Sequence, residues 1–83
     1  MERRELANLV PALTQRVFAL SGKHYQGCGF HYGMVKTAGY LLWRLNDFDK
    51  GISREDLLAL EVVYEDLLEQ VTDVEARVEV RHG

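Results

Sequence analysis

The sequence predicts an all-α protein, a small three-helix bundle with a long C-terminal helix that carries a heptad seam. Three observations predict this fold class. Apolar residues recur at intervals of three and four in three segments, and a glycine-rich stretch and a polar turn separate those segments. The chain has 83 residues, of which 47% are hydrophobic and 28% charged, as is usual for a single globular domain. We therefore expect one α-helical domain over residues 1–83.

The first predicted helix extends from about residue 2 to about residue 20. Its apolar stripe consists of Leu6, Leu9, Val10, Leu13, Val17 and Leu20. Pro11 interrupts this stripe, because proline has no N–H to donate. Two interpretations are open. Either the helix kinks at Pro11, or it begins with Asn8 as the N-cap, which would place Pro11 in the first turn.

The second predicted helix extends from about residue 32 to about residue 46, after a glycine-rich loop over residues 21–31. It is apolar over more than half of its circumference, so we expect it to be the most buried element. Gly39 lowers helix propensity by roughly 1 kcal/mol relative to Ala, and close approach of another helix is the usual compensation. We expect helix 1 or helix 3 to cross there. Trp43 is expected in the core, and the alternative is a partner-binding hot spot of Tyr40, Trp43 and Arg44.

The third predicted helix extends from about residue 54 to about residue 80. Ser53 followed by Asp56 is typical of a capping box at a helix start. A helix of this length spans about 40 Å, whereas a compact chain of this size has a diameter of about 30 Å. We therefore expect the helix to extend beyond its own domain. Its heptad seam consists of Leu57, Leu60, Tyr64, Leu67, Val71, Val74 and Val78.

Self-association through the end of helix 3 follows from that excess length. A narrow apolar seam is typical of a contact between two helices, so we expect a homo-oligomer, most simply a dimer. The residues expected in the contact are Leu67, Val71, Val74 and Val78. One alternative is that helix 1 is long enough to cover the seam. Another is a short edge strand over residues 77–82, where apolar and charged residues alternate.

Charge is distributed unevenly along the chain, and this predicts the partner. Residues 1–54 have a net charge of +4 and residues 55–83 a net charge of −7. We expect helix 3 to present an acidic face to a protein with a basic surface and to repel nucleic acid. The alternative is attraction between the two halves within one molecule. The residues expected on this face are Glu61, Glu65, Asp66, Glu69 and Asp73.

These features favour a non-enzymatic interaction protein of the adaptor, accessory-subunit or inhibitor type. The alternative is a ligand-binding or sensor domain that uses the glycine-rich loop. His24, Cys28 and His31 are residue types that bind Zn²⁺, although a tetrahedral site needs one more ligand. A phosphate or nucleotide at the start of helix 2 would instead contact Lys23, Tyr25, Tyr32 and Lys36. Apart from this zinc alternative, no cofactor is expected.

Arg77 and His82 have the R-x4-H spacing of HEPN ribonucleases, and in these two residues the chain resembles that family. The resemblance implies RNA cleavage by Arg and His from two protomers, as a third possible function. Cys28 is the only cysteine, which excludes an intrachain disulfide and fits a reducing compartment. No apolar run reaches the roughly 18 residues of a membrane span. We therefore expect a cytoplasmic protein.

Overall fold

A computed structural model describes residues 2–21, 29–47 and 51–82, with only the backbone at residues 21, 29–31, 47 and 78–82. It contains three helices, which are α1 (Arg3–Ser21), α2 (Gly29–Asp47) and α3 (Arg54–His82). The described residues include no strand. The predicted all-α, three-helix fold is confirmed.

Helix α1 is continuous through Pro11 and begins at Arg3, not after Asn8. The Leu6 N–H donates to the Glu2 carbonyl at 3.1 Å, so the helical hydrogen bonds start well before the proline. Pro11 is exposed, and its ring and missing N–H therefore lie on the solvent side of the bundle. One turn after the proline, the buried Thr14 hydroxyl donates to the Val10 carbonyl at 2.8 Å.

Helix α2 begins three residues before its predicted start and differs from expectation at two side chains. Gly39 is exposed, and no atom of another described helix lies within 4 Å of the position that a Cβ would occupy. The expected helix crossing at Gly39 is therefore wrong. Trp43 is 60% exposed, so its expected place in the core is also wrong.

Helix α3 begins as the capping pattern predicts, because the Asp56 N–H donates to the Ser53 hydroxyl at 3.1 Å. Gly51, two residues before the cap, has a φ of 108°, a conformation that favours glycine. The helix continues to His82, so the alternative of an edge strand over residues 77–82 is wrong.

Helices α1 and α3 run parallel to each other, and α2, which connects them, runs antiparallel to both. Glu2 and Glu5 line a surface depression together with Leu57 at the start of α3, whereas Arg16 contacts Glu75 near the other end. The molecule measures 44 × 21 × 17 Å. At 1.5 Å per residue the 29 residues of α3 span about 44 Å and the 19 residues of α1 or α2 about 28 Å, so α3 itself sets the long axis of the body. Helix α3 is therefore longer than the diameter of about 30 Å expected of a compact chain of this size, and the body is elongated and not spherical.

One apolar core lies between the three helices. It takes one face from each helix and consists of Leu6, Val10, Leu13, Val17, Leu20, Met34, Ala38, Leu41, Leu60, Tyr64, Leu67, Val71 and Val74. Among the three described helices, none has both the length and the hydropathy of a membrane span.

Candidate partner-binding surfaces

The heptad seam of α3 is buried within the single chain from Leu60 to Val74. Leu67, Val71 and Val74 are 1%, 0% and 2% exposed, and they belong to the same core as the apolar residues of α1. The premise that a second copy must cover these three residues is therefore wrong, because the chain's own helices cover them. The side chain of Val78 lies outside the described residues, so its place in a self-association contact stays a prediction.

Polar contacts fix α1 beside the end of this seam. The Arg16 Nε–H donates to Glu75 Oε2 at 3.1 Å, and Arg16 Nη2 donates to Glu75 Oε1 and, at 3.4 Å, to the Thr72 hydroxyl. The hydrogen bond from Arg16 to Glu75 raises the pKa of Arg16, and the nearby carboxylate charge raises it further. The guanidinium therefore stays charged, and α1 stays in register with residues 72–75 of α3.

The acidic face of α3, which consists of Glu61, Glu65, Asp66, Glu69 and Asp73, lies opposite or beside the seam. Glu65, Asp66, Glu69 and Asp73 are exposed, and Glu61 is half-buried. Asp73 pairs with Arg77 at 2.9 Å between Oδ2 and Nη2. Within the described part of the chain, Glu65, Asp66 and Glu69 form no ion pair. This face therefore keeps most of its carboxylates available to a partner.

The outer side of α2 carries a second exposed surface, which we call the aromatic face: Tyr32, Lys36, Gly39 and Trp43. Tyr32 and Trp43 are 64% and 60% exposed. Positions 32, 36, 39 and 43 fall within about 60° of one another on a helix and lie opposite the buried positions 34, 38 and 41. Tyr40, 44% exposed, borders this face.

Ring contacts order the side chains on the aromatic face. The Lys36 ammonium lies 5.4 Å from the centroid of the Tyr32 ring, and the Arg44 guanidinium lies 5.8 Å from the Trp43 ring. The Tyr40 and Trp43 rings are 6.3 Å apart between centroids and tilted by 56°. These are distances at which cation–π and aromatic interactions are favourable. The face is therefore partly preorganised, and both of its neighbouring charges are positive.

The exposure of Trp43 differs from the prediction, which placed it in the core because α2 has apolar residues on more than half of its circumference. The signal for the correct orientation was present in the spacing. The stripe of Met34, Ala38, Leu41 and Leu45 fills one side of the helix completely, and Trp43 lies nearly opposite the centre of that stripe. Three of these four residues are buried, and Leu45 is half-buried.

The two loop-based ligand sites stay predictions. His24 and Cys28, like Lys23 and Tyr25, lie outside the described residues, and only the backbone of His31 is described, in the first turn of α2. Tyr32 and Lys36, the other two residues of the predicted phosphate or nucleotide site, lie together, because the Lys36 ammonium lies over the Tyr32 ring. The described residues contain no group of three or more His, Cys, Asp or Glu side chains arranged to hold a metal ion.

The two residues of the ribonuclease resemblance both lie in α3. Arg77 is exposed and paired with Asp73, and the His82 side chain is outside the described residues. Five residues along a helix correspond to about 140° of rotation, so the two backbone positions lie on different sides of α3. The catalytic pairing across two protomers stays a prediction.

Comparison of the chain with protein-family models, curated proteins and solved structures gives no match.

Proposed function

We propose that this chain is a non-enzymatic interaction protein of the cytoplasm that binds a basic protein surface through the acidic face of α3. The observation that carries the proposal is the set of exposed carboxylates of Glu65, Asp66 and Glu69 in consecutive turns of one helix, which form no ion pair with any residue that the structure describes. A row of like charges at fixed spacing on a helix attracts a surface of opposite charge and speeds its encounter.

The arrangement of the rest of α3 supports this proposal. The opposite side of the helix is packed in the core, so the carboxylates are held on a rigid element and not on a loop. The cation that α1 brings to the end of α3, Arg16, is already committed to Glu75. Arg16 therefore does not neutralise the acidic face, which weakens the alternative that the charge asymmetry serves only attraction within the molecule.

A titration with a cationic helix tests the proposal. The probe is a synthetic, fluorescently labelled 20-residue helical peptide with Lys at every fourth position, followed by fluorescence anisotropy. We expect binding at low ionic strength that E65K/E69K weakens by at least about tenfold, because like charges replace two attractive contacts. Binding should also weaken as salt is raised, because exposed charges are screened.

The matched control separates the acidic face from net charge. N8K/A12K/Q15K/A19K changes the net charge by +4, as E65K/E69K does, at four exposed positions that all lie on α1. We expect this control to bind the peptide more tightly than E65K/E69K. Equal affinities of the two variants, or peptide binding that does not depend on salt, would contradict the proposal.

A further inference from the structure

The aromatic face of α2 and the outer face of α3 have the same spacing. Tyr32, Lys36, Gly39 and Trp43 follow one another at intervals of four, three and four residues. On α3, the exposed residues Leu58, Val62, Glu65 and Glu69 follow at the same intervals. Each set spans about 17 Å and lies within about 60° of rotation on its helix. Intervals of three and four are those of a contact between two helices.

We propose that the aromatic face of α2 binds the outer face of α3 of a second copy of this chain, with the two helices antiparallel. The inference rests on the proposed function, because it names the basic partner of the acidic face. It also replaces the buried seam as the route to self-association: the contact uses surfaces that the monomer leaves exposed.

The antiparallel register gives each residue a chemically suitable neighbour. Lys36 lies opposite Glu65, and Tyr32, with its hydroxyl donor, lies opposite Glu69. At the other end Trp43 lies opposite Leu58. A parallel register would instead place Lys36 opposite Val62 and Trp43 opposite Glu69, so charge and polarity favour the antiparallel one.

Gly39 is explained by the same register. It costs about 1 kcal/mol of helix propensity relative to Ala, and within the described part of the chain nothing packs against it. In the proposed contact Val62, which is 58% exposed in the monomer, lies opposite Gly39. The absent side chain leaves room for the branched valine, and the two helices approach closely at this point.

Charge complementarity favours a second copy as the occupant. Helix α2 has no acidic residue before Asp47 and carries Lys36 and Arg44, whereas the outer face of α3 and its border carry Glu65, Asp66 and Glu69. A pairing of two α2 faces would bring only positive charges together, and a pairing of two α3 faces only negative ones. The contact is heterologous, because each copy contributes a different surface.

Charge reversal with mixing tests the pairing. Sedimentation velocity is measured from about 1 µM to about 1 mM on the intact chain and on K36E and E65K, with circular dichroism as a check on folding. Both positions are exposed. We expect the intact chain to associate as its concentration rises and each variant alone to associate at least about tenfold more weakly. N8K/Q15K, with the same charge change as E65K on the outer side of α1, should associate like the intact chain.

An equimolar mixture of K36E and E65K should restore association. Each K36E copy still has Glu65 and each E65K copy still has Lys36, so one native pair forms between them. The two substituted side chains also attract each other, because both charges of the pair are reversed. A contact between two α2 faces predicts no effect of E65K, and a contact between two α3 faces predicts no effect of K36E. Either of these results, or a mixture that stays monomeric, overturns the inference.

Failure of this inference and failure of the proposed function are distinguishable. An intact chain that stays monomeric at about 1 mM but binds the cationic peptide through Glu65 and Glu69 overturns the pairing of copies and leaves the acidic-face proposal standing. A chain that neither associates nor binds the peptide through those residues overturns both.

Discussion

Two valines of α3 lie on opposite sides of the helix and test the burial of the seam directly. Val71 is 0% exposed in the core, and Val62 is 58% exposed on the outer face. We expect Val71→Ala to lower the free energy of unfolding by about 2 kcal/mol, because it removes buried methyl groups and leaves a cavity. Val62→Ala should change it by less than about 0.5 kcal/mol.

Urea denaturation followed by circular dichroism measures both values, at a protein concentration low enough to keep the chain monomeric. The two variants have the same change in composition and helix propensity, so each is the control for the other. Equal losses of stability would contradict the placement of Val71 in the core of one chain.

Two glycines with open space around them should respond in opposite directions to alanine. At Gly39, in the middle of α2, alanine has room and a higher helix propensity, so Gly39→Ala should raise the free energy of unfolding by about 0.5 to 1 kcal/mol. Gly51 has a φ of 108°, so Gly51→Ala should lower it by about 1 to 2 kcal/mol through backbone strain. Thermal unfolding of the two variants measures this; destabilisation by Gly39→Ala would indicate a contact within the chain at that position.

At the residue scale the sequence predicted the buried stripes well and the exposed aromatic residues poorly. Leu6, Val10, Met34 and Leu41 were recognisable from their spacing, because burial repeats with the helix period. Trp43 was misplaced because hydrophobicity alone does not determine orientation when a helix already has enough apolar residues to fill its inner side. The expected helix crossing at Gly39 was wrong for a different reason. The sequence does not distinguish a glycine at a helix crossing from a glycine that no neighbouring helix contacts, because only the fold shows what lies beside it.

At the scale of elements, helices α1 and α3 are held in register by Arg16 and Glu75. Their side chains are 40% and 36% exposed, so solvent screens the pair. A double-mutant cycle with Arg16→Met and Glu75→Met should give a coupling energy of about 0.5 to 1 kcal/mol at low salt, because two hydrogen bonds accompany the charge interaction.

The pair of Asp73 and Arg77 provides the comparison for this cycle. It lies within α3 at a separation of four residues, and its side chains are 56% and 71% exposed. We expect a coupling energy of about 0.3 kcal/mol there. A coupling between Arg16 and Glu75 no larger than this value would contradict their role in the register of α1 and α3.

The boundaries of the elements were predictable where a local chemical signal exists. Ser53 and Asp56 marked the start of α3 correctly, because capping is a contact within four residues of the chain. Pro11 did not decide where α1 begins. The free-energy cost of a proline inside a helix depends on whether its side of the helix faces solvent, and only the fold shows which side that is. Helix α2 starts earlier than predicted, at Gly29 and Phe30, where the sequence contains no capping motif.

At the scale of the whole molecule, the error concerned shape. A spherical body of about 30 Å diameter was assumed from chain length, whereas three aligned helices form a body 44 Å long. The length of α3 does not require a dimer through the seam, because Leu67, Val71 and Val74 are packed in the core of the single chain. The proposed self-association therefore uses surfaces that the monomer leaves exposed, which are charged and aromatic.

The response of association to salt distinguishes these two kinds of interface. A contact between the aromatic face of α2 and the outer face of α3 contains the charges of Lys36, Glu65 and Glu69, which are exposed in the monomer. Raising NaCl from about 0.1 M to about 1 M shortens the Debye length from about 10 Å to about 3 Å, so the association constant should fall severalfold. An apolar contact through the seam would instead be unaffected by NaCl and strengthened by sulfate. Sedimentation velocity in matched NaCl and sodium sulfate series measures this difference, and association that increases in both salts would contradict the charged contact.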